Sequence, residues 1–154
     1  MPSFFKTLVP VIFVVSTIAH AAPQNYAVSD IAREKTSKTS FDTMVSKYKL
    51  PKWVVQGGTE SPAQQITFSG TVFYVASACK PHDCGSERIA IMYSPSTNAM
   101  YGVFLKVGSN PSKENLTWLN IGGSEESIDG KTILYAKLTG SLDNHPKSFN
   151  YESN

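Results

Sequence analysis

The chain has 154 residues, of which 41% are hydrophobic and 17% charged. That suits one domain with its own core and excludes disordered, collagen-like and coiled-coil classes. Fourteen Lys and Arg stand against twelve Asp and Glu, a formal net charge of +2, too near neutral for the basic stripe of a nucleic-acid binder or for strong long-range steering of a charged partner.

The first segment reads as a secretory leader. Lys6 makes a short positive start, and residues 8–18 are apolar except for Pro10, Ser16 and Thr17. Ala19-His20-Ala21 then offers the small residues of a cleavage site. The apolar run is shorter than the roughly 20 residues that a bilayer core requires. A cleaved signal peptide over residues 1–21 is therefore expected rather than a membrane anchor. Neither cysteine lies in a lipobox, and no later segment reads as a membrane span. Removing the leader takes away Lys6 and no acid, leaving 13 bases against 12 acids, a net charge of +1. One domain is expected over residues 22–154, with no internal repeat and no linker.

A short helical hint covers residues 28–33. Phe41, Met44, Val45 and Tyr48 then share one face at helical spacing, with Ser37 or Thr39 as the cap and Pro51 as the stop. Trp53, Val54 and Val55 form an apolar plug, and Gly57-Gly58 a turn. Strand signals follow at 66–68, 71–78, 88–93, 99–107 and 116–121. Ser69-Gly70 joins the first pair, and residues 94–98 join the third and fourth. Short links make an antiparallel meander the economical topology. A helix follows over residues 127–139, with Ile128, Ile133, Leu134 and Leu138 as its apolar set. Gly140 stops it and Gly130 weakens it. Phe149 and Tyr151 are docking points in a polar tail. The predicted class is α+β: helices, a five-stranded antiparallel meander, then helices.

Most catalytic and cofactor chemistries lack their residues. Outside the leader only His82 and His145 are histidines, too few with two oxidised cysteines for a zinc site. Neither a metal nor another cofactor is expected. Gly130-Lys131-Thr132 has the end of a phosphate-loop motif, but Glu125 stands where the motif needs glycine. No G-x-S-x-G elbow occurs. The carboxylates Glu60, Glu87, Glu114, Glu125, Glu126 and Asp129 form no pair whose spacing implies glycoside chemistry. The chain reads as a non-enzyme, with no catalytic residue.

Cys79 and Cys84 are an even pair in an exported chain and are expected to form a disulfide. Four residues separate them, not the two of a redox C-x-x-C motif, so a structural staple outranks a thiol–disulfide role. The ring removes about 2 kcal/mol of unfolded-chain entropy by the loop model. Its larger effect is to fix the shape of Lys80-Pro81-His82-Asp83. Pro81 locks one φ angle and restricts Lys80, Gly85 permits a sharp exit, and the imidazole of His82 can donate to or accept from carboxylates. From these residues alone a recognition knob and a plain stapled turn both remain open.

The string Cys79-Lys80-Pro81-His82-Asp83-Cys84-Gly85-Ser86 resembles the signature loop of the Ivy family, inhibitors of vertebrate lysozyme. In chain order, further similarity lies in Leu50-Pro51-Lys52-Trp53-Val54, Gly57-Gly58-Thr59, Arg88-Ile89-Ala90, Leu116-Thr117-Trp118-Leu119-Asn120, Ser127-Ile128-Asp129-Gly130-Lys131-Thr132, Leu138-Thr139-Gly140-Ser141-Leu142 and Asn144-His145-Pro146. The resemblance runs from about Val28 to Tyr151 and departs in surface stretches such as residues 106–111, which bear on peripheral contacts and assembly. It implies a periplasmic protein of a Gram-negative bacterium with a three-layer α/β/α fold around a meander sheet. It implies a loop of Lys80, Pro81, His82 and Asp83, held by Cys79–Cys84, that enters the cleft of c-type lysozyme. There His82 meets the catalytic acid and carboxylate. It leaves monomer and homodimer open. The alternative it carries is a periplasmic control protein for the bacterium's own lytic transglycosylases.

Overall fold

The computed structural model describes residues 26–110, 112–122 and 127–150. The expected leader over residues 1–21 and the docking point Tyr151 lie outside them. Helices α1 (Val28–Arg33), α2 (Lys38–Val45) and α3 (Trp53–Gln56) precede five strands: β1 (Thr59–Phe68), β2 (Thr71–Cys79), β3 (Glu87–Tyr93), β4 (Met100–Val107) and β5 (Glu114–Leu119). Helices α4 (Ser127–Thr139) and α5 (Ser141–Asn144) and a 3-10 turn (Pro146–Phe149) follow. The strands pair antiparallel in the order β1-β2-β3-β4-β5, the expected meander.

Alternation along the strands sends side chains into two cores. Ala76, Ala78, Ile89, Ile91 and Phe104 pack with Val28, Ile31, Phe41, Met44 and Val54 of the leading helices. Val75, Ala90, Met92, Val103 and Leu105 pack with Ile133, Leu134 and Leu142 of the trailing ones. Both faces of the central strands are covered, so residues 89–93 form an unbroken buried run. The sheet is thus the middle of three layers.

Four local expectations change. Helix α2 ends at Val45, because Ser46 N–H donates to the Thr43 carbonyl and tightens the last turn. Tyr48 therefore leaves the apolar stripe and is 43% exposed. Ser37 precedes α2, but its hydroxyl donates to the carbonyl of Ile31 instead of capping. Strand β1 begins seven residues before the predicted start at 66. It is an edge strand whose register shifts between Ser61 and Gln64, around Pro62. Proline is tolerated at such an edge irregularity, and this first half lacks alternating hydrophobicity. Finally, Ile128 faces out at 75% exposure, because the apolar face of α4 begins with Gly130. A Cβ at Gly130 would lie 2.7 Å from Ile121 Cδ1, so this glycine brings the helix close to the sheet, an advantage its low helix propensity concealed.

Candidate functional site: the disulfide-closed loop between β2 and β3

Residues 80–86 connect two central strands and are built as consecutive turns. Asp83 N–H donates to the Lys80 carbonyl at 3.0 Å, and Ser86 N–H donates to the Asp83 carbonyl at 3.1 Å. The first turn has Pro81 second and His82 third, with His82 at φ +61. Proline followed by a left-handed residue is the pattern of a type II turn, whose third position favours glycine or asparagine. An L-residue with a Cβ pays about 1–2 kcal/mol there. The chain thus holds an imidazole where turn chemistry alone would select another residue. Such strain persists only where surrounding structure over-determines it.

That surrounding structure is present. The Cys79–Cys84 disulfide closes the loop, with Cα atoms 4.8 Å apart. Lys80 N–H donates to the Glu87 carbonyl at 3.0 Å, and Val107 N–H of β4 donates to the Ser86 carbonyl at 2.8 Å. Inside the loop Asp83 Oδ2 accepts from Ser86 Oγ at 2.6 Å and from Lys80 Nζ at 3.0 Å. These bonds, Ser86 first and Lys80 second, hold the Asp83 carboxyl below its usual range. The same Asp83 bond raises Lys80. His82 is exposed, and no described residue bonds its imidazole. The loop's two opposite charges therefore satisfy each other, and the imidazole is its free polar group.

Support also comes from Trp53, Gly58 and Glu87, to which the sequence assigns no part in the loop. Trp53 Nε1 donates to Glu87 Oε2 at 2.9 Å, giving the indole the acceptor that a largely buried Trp needs. Trp53 also packs on Phe104, with ring centroids 6.4 Å apart. Gly58 lies against the base of the loop, where a Cβ would come within 2.5 Å of the Cys79 carbonyl oxygen. Only a glycine permits that approach. In the sequence Trp53 is an apolar plug and Glu87 one of several scattered carboxylates. The available signal was the indole's need for an acceptor, but 34 residues separate the pair.

Of the predicted site residues, Lys80, Pro81, His82 and Asp83 lie together in this one loop with Cys79 and Cys84 at its neck. His145 is exposed after α5. No group of three His, Cys, Asp or Glu able to hold a metal occurs among the described residues. No described helix is long and apolar enough to cross a membrane.

The family described as "Inhibitor of vertebrate lysozyme (Ivy)" matches residues 36–125. A protein of Escherichia coli K12 named "Inhibitor of vertebrate lysozyme" is 47% identical over 148 residues, covering 96% of this chain and 94% of that protein. A Pseudomonas aeruginosa protein of the same name is 32% identical over 65 residues, 42% of each chain. An uncharacterized Yersinia pestis protein is 30% identical over 139 residues, 84% of this chain and 85% of its own. The first similarity spans both layers of helices, the whole sheet and the stapled loop, and on it the chain belongs to the Ivy family.

Proposed function

We propose that this protein is a non-enzymatic inhibitor of vertebrate c-type lysozyme that occludes the enzyme's cleft with the Cys79–Cys84 loop. One observation carries the mechanism: an exposed imidazole held at a strained backbone position by a stapled, internally neutralised loop. Glycoside hydrolases of the lysozyme kind work through two carboxyl groups flanking the scissile bond. An imidazole offers two ring nitrogens in one plane, so one His82 can engage both groups and exclude the sugar. Charge-assisted hydrogen bonds of this kind contribute about 1.5–3 kcal/mol each. A loop already ordered before binding avoids most of the entropic cost of fixing it. The pairing of Asp83 with Ser86 and Lys80 matters here, because a free anion beside His82 would repel a carboxylate-lined groove.

The site of action is the periplasm. The leader-like residues 1–21 support export, and a disulfide persists in oxidising compartments. The family's descriptions and the resemblance of the loop support lysozyme as target.

The direct test is lysis of a cell-wall suspension by c-type lysozyme with and without the purified protein. Near-stoichiometric suppression of lysis is the expected result, and undiminished lysis at excess protein refutes the proposal. A parallel arm with bacterial lytic transglycosylases separates the alternative control role.

A further inference from the structure

The base of the loop adjoins a second polar feature on the trailing-helix side of the sheet. There β1, β2 and β3 meet α4 and α5 around a cavity of about 240 Å³. That is below the roughly 300–1,000 Å³ of drug-sized ligand pockets and suits a small ion. Its walls include Thr59, Ser61, Ser77, Arg88, Lys137 and Asp143. The strand register explains the gathering. Ser61 pairs with Ser77, Thr59 with Cys79, and Cys79 with Arg88, so these side chains share one sheet face while Ala76, Ala78 and Ile89 fill the opposite core.

The polar groups around this cavity are incompletely paired. The Lys137 side chain is fully buried. Its ammonium donates to Asp143 Oδ1 at 2.5 Å and to the Pro62 carbonyl at 2.9 Å, which uses two of its three donors. Arg88 reaches Glu114 and the Leu138 carbonyl only at 3.5 Å each, and its buried Nε has no partner among the described residues. The hydroxyls of Thr59, Ser61 and Ser77 make no side-chain hydrogen bond among the described residues. Each cation has one carboxylate partner, Asp143 for Lys137 and Glu114 for Arg88, and of the two carboxylates only Asp143 lines the cavity. A buried unpaired donor costs about 1–3 kcal/mol and calls for a ligand, ion or water that pairs it.

We infer that this cavity binds a small oxyanion, a phosphate or a carboxylate, between the Arg88 guanidinium and the Lys137 ammonium, with Ser61 and Ser77 as hydroxyl donors. Exposed Thr59 and Asp143 open it to solvent. The cavity borders the neck of the loop through Cys79, but His82 does not line it, and the inference does not rest on the lysozyme reading.

Inorganic phosphate and acetate, titrated separately at constant ionic strength against chloride, test this. Two readouts apply: the Arg88 Nε–H resonance by ¹H–¹⁵N NMR, and Tm. The resonance should shift saturably with one of the two anions, which identifies the class. At ten times Kd the Tm should rise by about 3–5 °C. The Tm response should vanish in Arg88→Gln, and both responses should weaken in Ser77→Val, which keeps the Arg88 resonance and carries the test should Arg88→Gln fail to fold. A resonance that does not move with either anion, or a Tm response equal in wild type and variants, overturns the site.

Discussion

Two turns of this molecule invite comparison, one at each end of β3. The turn from β3 to β4 contains Pro95 and a left-handed residue, Asn98 at φ +57. The turn from β2 to β3 contains Pro81 and a left-handed residue, His82 at φ +61. In the first, Ser94 N–H donates to the Ala99 carbonyl at 2.9 Å and Tyr93 Oη donates to Asn98 Oδ1 at 3.3 Å. Asn is a residue type that tolerates this backbone, so local chemistry explains the turn completely. In the second, the residue is one that turn chemistry disfavours, and a disulfide and an internal ion pair hold it there. A left-handed residue of unlike type in each separates a turn that only reverses the chain from one that also presents a side chain.

The sharpest way to break that comparison is at the two left-handed positions. His82→Ala keeps the backbone strain and removes the imidazole. Inhibition of lysozyme should weaken by about 2–4 kcal/mol, the range of an interface hot spot, with Tm unchanged. His82→Gly should lose the same inhibition while stabilising the fold by up to about 1 kcal/mol, because glycine removes the Cβ penalty. An unchanged inhibition constant in both variants removes His82 from the mechanism. Replacing Cys79 and Cys84 by Ser should lower unfolding stability by about 2 kcal/mol and inhibition by more than that, measured as denaturation midpoint against inhibition constant. Equal losses would make the staple structural only. Asn98→Ala is the mirror test. It should cost about 1 kcal/mol of stability and leave inhibition intact; a loss of inhibition would join the two turns in function.

The smallest expected effect is acid sensitivity of the loop. The Asp83 pKa is lowered in the folded chain, so its contribution to loop order is present above the unfolded aspartate value of about 3.9. It is lost as pH falls through the lowered folded value. The His82 and Ser86 amide resonances should therefore titrate with a midpoint below 3.9, and Asp83→Asn should abolish the transition. A midpoint at or above the ordinary value contradicts the internal pairing.

The central strands, α4 and the stapled loop were legible in sequence because their signals are local. Residues 89–93 are apolar throughout, Ile133, Leu134 and Leu138 repeat at helical spacing, and Cys79 and Cys84 bracket a proline. The first half of β1 was not legible, since an edge strand with Pro62 and paired glutamines carries no period. Nor was the outward face of Ile128, because its apolar neighbours implied a stripe that Gly130 displaces.

By itself, then, the sequence determined the five strands' meander order, the presence of α1, α2 and α4 and which four residues the disulfide encloses, but not α5, the 3-10 turn or the first half of β1. Tertiary structure alone decided that His82 occupies a left-handed position, that Trp53 and Gly58 brace the loop across 20 to 35 residues of chain, and that Arg88 and Lys137 converge on one cavity. Periodicity and turn preference act over a few residues, whereas strand register and helix docking set which distant side chains meet.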